Sequence, residues 1–171
     1  RAGSRIVGVT LARGGRISCG SVVNAAGPWS FLVNRMAGVS LPLRPLRHRT
    51  ILVPATSLEL PMVADLPGRI FFRPERSQGG VLVGSLDEGK DGEPIQDPDA
   101  MDPIVDRPFY AEKNLAVAKR MPDSVRFPSW VRGIAGAYDV HEPDWYPVFS
   151  RTEVDGYFLA GLDEHNIIDD D

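Results

Sequence analysis

VVNAAGPWS, residues 22 to 30, carries a β-branched run into three small residues and then into a proline and an aromatic. Val22 and Val23 favour an extended, pleated backbone. Ala25, Ala26 and Gly27 have almost no side chain, so whatever lies above the turn meets bare backbone. Pro28 suits the first helical position, where its missing N–H costs no hydrogen bond. Trp29 to Ala37 then reads as a helix that Gly38 stops. Amides at such a helix start, with the positive end of its dipole, suit an anion. A packing turn that binds nothing is the alternative reading of the same residues.

Upstream, Val7, Val9 and Leu11 alternate with smaller or polar residues, a Gly-Gly turn lies between Arg13 and Arg16, and Ile17 to Asn24 is a second extended run. This predicts a β-hairpin whose second strand is the more buried. Downstream, Pro42, Pro45 and Pro54 punctuate Leu41 to Val53, which ends in the apolar Ile51, Leu52 and Val53 and reads as a strand. Arg69 to Arg73 and Gly80 to Ser85 form a second hairpin across Ser77 to Gly80. Asp106 is placed to cap a helix from Pro108 to Met121 that Pro122 ends, and Trp130 to Val140 and Tyr157 to Gly161 supply the last strands. The order β β α β β β α β β, with a mainly antiparallel sheet, is an α+β (α/β) architecture.

Composition narrows function by exclusion. The 171 residues are 43% hydrophobic and 25% charged with a net charge of −4, which is ordinary for a globular chain and leaves no basic footprint for nucleic acid. No apolar run approaches the ~20 residues of a membrane span. The single Cys19 has no disulfide or metal-binding partner cysteine. A cytoplasmic protein is expected, or one of the mitochondrial matrix in a eukaryote. Between Asp87 and Asp106 eight acidic residues face one lysine among several prolines, which reads as an acidic surface loop. His141, Glu142, Asp144 and His165 are the candidates for a metal site, but they lack the spacing of a zinc motif, so none is expected.

Several motifs in order resemble the D-amino-acid oxidase superfamily, nearest to its sarcosine and dimethylglycine dehydrogenases. VVNAAGPWS is similar to the late strand and turn of the superfamily's FAD-binding domain. LPLRPLRHRTILV, residues 41 to 53, is similar to the segment that follows it. Residues 60 to 84 keep a pattern of Leu-Pro, Asp, Gly, an aromatic pair, Arg-x-Glu and an apolar strand ending in Gly. GIAGAYDVHEPD, residues 133 to 144, and YFLAGLDEHNI, residues 157 to 167, resemble the Ala-Gly-x-Tyr stretch and the strand that reaches the flavin.

The resemblance implies FAD as cofactor, with Ala25, Ala26, Gly27, Trp29, Gly161 and His165 near it. It implies a small amine or amino-acid substrate, oxidised at its C–N bond by hydride transfer to flavin, and an electron-acceptor protein as a further partner. His48 would be catalytic, holding the amine or accepting its proton. Arg73, Phe72 and Tyr138 would line the substrate, Arg73 as a fork for a carboxylate. Read without the family, these are a histidine among three arginines, an Arg–Glu pair on a sheet and a core tyrosine. The implied organisation is the rear of an FAD-binding domain over 1–40, a substrate-binding sheet domain with the acidic loop 87–106 over 41–130, and a return to the FAD-binding domain over 131–171. The superfamily's GxGxxG turn does not occur, so its segment is expected on a longer polypeptide and this chain alone is expected to be inactive. Asp163, Glu164 and Asn166 stand where the family has small residues, and a noncatalytic assembly domain that has lost flavin is the competing expectation.

Overall fold

The computed structural model describes residues 5–56, 59–87, 92–125 and 132–161. In chain order the elements are β1 (Val9–Thr10), β2 (Arg16–Ile17), β3 (Val22–Asn24), α1 (Ser30–Ala37), β4 (Leu43–Pro54), β5 (Val63–Asp65), β6 (Ile70–Glu75), β7 (Gly80–Ser85), β8 (Glu93–Pro94), α2 (Arg107–Arg120), β9 (Arg132–His141), β10 (Val148–Arg151) and β11 (Tyr157–Gly161). They fall into two units. One takes in the chain up to Leu46, Pro94–Pro98 and the residues from Ala137 onward; the other is Arg47–Glu93 with Asp99–Gly136.

In the first unit, β1 and β2 pair antiparallel through Val9↔Ile17 and Thr10↔Arg16. The hairpin expected to continue to Asn24 stops here. Ser18 to Ser21 contain no β-branched residue, and β3 leaves to pair in parallel with β11. A glycine contact fixes that switch. Gly156 has φ +80, and a Cβ there would sit 2.1 Å from the Gly20 carbonyl oxygen, so only glycine permits the approach. The neighbouring amide of Val22 donates to the Gly156 oxygen at 2.8 Å. Val9 and Ile17 are exposed, and burial begins only at Asn24. The sheet order is β10-β11-β3. Pro28 lies in a short 3-10 turn, Gly27–Trp29, that leads into α1, and Gly38 ends α1 in the left-handed region at φ 72. Val39, Val154 and Tyr157 form the core of this unit.

The second unit is built on the sheet β5-β6-β7-β4-β8, with β9 along β4. Strict alternation on its central strands sorts the two faces. Ile51 pairs Val83, which pairs Phe72, and Val53 pairs Val81. With Ile70 these side chains are at most 4% exposed and pack against Phe109 and Val117 of α2 and against Val125. Burying each contributes roughly 1.5–3 kcal/mol. Helix α2 begins where the sequence places it, because Asp106 accepts a hydrogen bond from the Phe109 amide at 2.8 Å. Arg47 and Arg49 lie on this same helix-side face. Arg47 donates to the carbonyl oxygens of Asp102 and Ile104, and Arg49 pairs with Asp106 at 2.6 Å. The described part of the acidic loop is thus fastened to β4.

Candidate functional site

Each unit carries one candidate surface. In the first, the register Tyr157↔Val22, Phe158↔Val23 and Leu159↔Asn24 brings the carboxyl ends of β3 and β11 level. The residues that follow are Ala25, Ala26 and Gly27 on one strand and Ala160 and Gly161 on the other. Ligands of α/β sheets bind beyond the carboxyl ends of parallel strands, and here that end carries almost no side chains. Gly27, at φ +52, would place a Cβ in open space. Trp29 is 39% exposed beside it. Gly161 is buried, and a Cβ on it would lie 3.5 Å from Asp139 Oδ2. His165 and the altered segment from Asp163 to Asn166 lie outside the described residues.

The turn's amides are largely committed. Ala26 N–H donates to the Asn24 side-chain oxygen at 3.2 Å, Trp29 N–H to the Ala26 oxygen, and Ser30 N–H to the Gly27 oxygen. Pro28 has no N–H. The end of the sheet therefore offers close approach to backbone rather than the amide cradle for an anion that the sequence suggests.

Behind the turn lies a buried polar cluster that sequence reasoning missed. Asn24, 2% exposed, donates from Nδ2 to the Ser30 oxygen and to Asn34 Oδ1, both at 2.9 Å. Tyr157 donates its hydroxyl to the same Asn34 oxygen at 2.7 Å. Burial pushes the Tyr157 phenol above its ordinary pKa, partly offset by a hydrogen bond with Asn24. Ser30 Oγ and Asn34 Nδ2 are buried without a hydrogen-bond partner. The available signal was Asn24 itself, an asparagine at the end of a buried strand, where its side chain competes for nearby backbone.

In the second unit, the sheet face turned away from α2 carries the other candidates. Arg47 and Arg49 reach the α2 side, so His48 between them takes the opposite face with Thr50 and Leu52. The pairs Thr50↔Gly84↔Phe71 and Leu52↔Leu82↔Arg73 put Phe71 and Arg73 on that face too. Phe72, expected at the substrate, is turned by the pleat into the hydrophobic core at 4% exposure. Phe71 takes the outer position instead, its ring filling the space over Gly84, where a Cβ would be 2.2 Å away. His48 is 7% exposed. Arg73 pairs with Glu75 at 3.3 Å and remains half-exposed. From strand geometry, His48 and Arg73 stand about 14 Å apart along the strands and about 10 Å across them.

Tyr138 lies on β9 and is half-buried. Three residues on, His141 Nδ1 contacts Asp144 Oδ1 at 2.6 Å, and that hydrogen bond, with one from the Tyr146 amide, holds the Asp144 carboxyl below its ordinary pKa. Among the described residues no group of three or more His, Cys, Asp or Glu could hold a metal ion. No helix among them is long and apolar enough to cross a membrane.

The family model for FAD dependent oxidoreductase matches residues 1–167. The chain belongs to this family. FAD-dependent oxidoreductase domain-containing protein 1 of Bos taurus is 32% identical over 171 residues, which cover 88% of this chain and 33% of that protein. Mitochondrial dimethylglycine dehydrogenase of Rattus norvegicus is 37% identical over 76 residues, 41% of this chain and 9% of the enzyme. The motif likeness to dimethylglycine dehydrogenase is therefore borne out, and the chain spans a third or less of these curated relatives. The fold matches L-proline dehydrogenase from P. horikoshii with a TM-score of 0.70 at 24% identity, over 93% of this chain and 41% of that one. Glycine oxidase from Geobacillus kaustophilus matches with a TM-score of 0.68 at 20% identity, over 91% and 39%.

Proposed function

We propose that the whole protein oxidises the C–N bond of an N-methylated amine or an amino acid with FAD, and that this chain supplies the substrate-facing sheet and one wall of the flavin site. The observation that carries the reading is the level end of β3 and β11, where Ala25, Ala26, Gly27 and Ala160 have little or no side chain and Gly27 faces open space. Such an end fits a flat ring system, which needs van der Waals approach more than charge. Bound there, FAD would supply the two-electron acceptor for the substrate's hydride.

The chain's own residues have separate tasks. Ala25 to Gly27, Trp29 and Gly161 hold the cofactor by contact. His48 keeps the substrate nitrogen uncharged by accepting its proton, which leaves the nitrogen lone pair available as the neighbouring C–H bond breaks. Arg73 offers two parallel N–H donors to a substrate carboxylate in competition with Glu75. Phe71 lines the substrate on the same sheet face. The acceptor is an electron-transfer protein or oxygen. The compartment is the cytoplasm or, as the printed names of the dimethylglycine dehydrogenases indicate for those enzymes, mitochondria.

A visible absorbance scan and FAD titration test this, run on this chain beside a longer polypeptide carrying an upstream dinucleotide-binding segment. Yellow flavin absorbance in the longer protein, bleached anaerobically by sarcosine, dimethylglycine or an amino acid, is the expected result. Absence of flavin from both would overturn it and leave an assembly domain.

A further inference from the structure

We infer that Asn24 is a positioning residue for the cofactor, setting the shape of the Ala25–Gly27 turn before any ligand arrives. The inference rests on the flavin reading above and adds to it the side chain that makes the turn competent.

Asn24 is the last residue of β3 and is 2% exposed. Both polar atoms of its side-chain amide are spent locally. Oδ1 accepts from the Ala26 amide, closing a loop two residues long over Ala25. Nδ2 donates to the Ser30 carbonyl oxygen and to Asn34 Oδ1, one on the first residue of α1 and one a helical turn further on. One planar amide therefore joins the strand end, the turn and the helix. Ala25, Ala26 and Gly27 have no side chains with which to hold themselves, and Gly27 at φ +52 is a position that unfolded chain visits freely. Without Asn24 the turn would sample other shapes and a ligand would have to order it on binding, at a cost in affinity. Tyr157 anchors the far side of the same cluster, donating to Asn34 and lying against the Asn24 amide, whereas it is Asn24 that bonds the Ala26 amide of the turn directly.

That arrangement separates positioning from support. In the FAD-loaded full-length protein, the flavin dissociation constant and the apoprotein melting temperature are measured for wild type, Asn24→Ala and Tyr157→Phe. Asn24→Ala is expected to weaken FAD at least tenfold. Tyr157→Phe is expected to lower the melting temperature while leaving the FAD constant within threefold. Where Asn24→Ala is not recovered folded, Asn24→Ser, which keeps an oxygen but neither amide donor, replaces it with an expected loss of at least threefold. Equal loss of affinity in the Asn24 and Tyr157 variants would show that the cluster acts only through stability and would overturn the inference, as would an unchanged constant in the Asn24 variant. A wild type that binds no flavin overturns the proposed function itself, and this inference with it.

Discussion

Replacing Asp106 by alanine removes the N-cap of α2 and the ion pair that ties this cap to β4, and their sum can be worked out. Its Oδ1 accepts the Phe109 amide at 2.8 Å, and its Oδ2 pairs with Arg49 at 2.6 Å. Loss of a helix N-cap of this kind costs about 1 kcal/mol. The Arg49 side chain is 13% exposed but that of Asp106 is 45% exposed, so solvent screening reduces the ion pair to about 0.5 kcal/mol. The Arg49 guanidinium also lies 4.3 Å from the centre of the Phe109 ring and keeps that contact in the variant. The expected total is about 1.5 kcal/mol, which for a chain of this length lowers the melting temperature by about 3–6 °C.

Asn caps a helix as well as Asp does, so Asp106→Asn should lose only the ion pair and shift the midpoint by about 1–2 °C. The Phe109 amide, countered by burial and assisted by Arg49, holds the Asp106 carboxyl below its ordinary pKa of 3.8. Its contribution is therefore present above that value and disappears as pH falls through the lower folded value. Thermal unfolding followed by circular dichroism at neutral pH and at acid pH checks both points. If Asp106→Ala and Asp106→Asn melt together, the cap carries nothing and the reasoning is refuted. A gap between wild type and alanine that widens on acidification would refute the sign.

Ser30→Ala should be neutral or slightly stabilising in a melting experiment, because Ser30 Oγ is buried without a partner and its removal relieves an uncompensated polar group; a loss of several degrees would show a partner. Arg73→Ala in the full-length protein should raise KM for a carboxylate-bearing substrate at least tenfold, about 1.4 kcal/mol, with kcat little changed, and an unchanged KM would make its pairing with Glu75 purely structural. Hydrogen bonds from Arg120 chiefly hold the Asp65 carboxyl below its ordinary value, against burial and with help from the Gly68 amide. Asp65→Asn should therefore remove part of the stability lost between pH 4 and lower pH, flattening the acid side of a urea-midpoint profile relative to wild type.

The sequence disclosed those elements whose ends carry their own chemistry. The Asp106 cap, the Gly38 stop after α1 and the Gly79 turn at φ 67 between β6 and β7 all stand where local residue preference puts them. What sequence missed depends on distant partners. Ile17 to Asn24 looks like one strand by composition, yet Gly156, far along the chain, takes β3 away to pair in parallel with β11. Strands β5, β8 and β10 are too short or too polar to show a period, and they exist because neighbours offer them an edge. The aromatic pair Phe71 and Phe72 could not be sorted from sequence, since a strand puts adjacent residues on opposite faces and only the register with Val83 and Gly84 decides which ring is buried.

The same register bears on what the outer sheet face can bind. His48 and Arg73 share that face, but four residues and two strand spacings separate them, roughly 17 Å between backbones. An extended arginine reaches about 7 Å from its backbone and a histidine about 4 Å, so the two heads approach within roughly 6 Å at best by their own reach. An amino acid separates its nitrogen from its carboxylate by about 3 Å, too short to touch both groups unless both side chains lean fully inward along the sheet. Phe71 and Gly84 lie on the path between them, and the small surface at Gly84 exists because the Phe71 ring occupies it. A substrate whose nitrogen meets His48 and whose acid meets Arg73 must therefore lie across the Phe71 ring, and a longer amine acid fits that span better than glycine does. Of the two proposed roles, the carboxylate fork at Arg73 is the one that depends on substrate length, while the proposed role of His48, 7% exposed, depends on how far a substrate nitrogen can reach its ring.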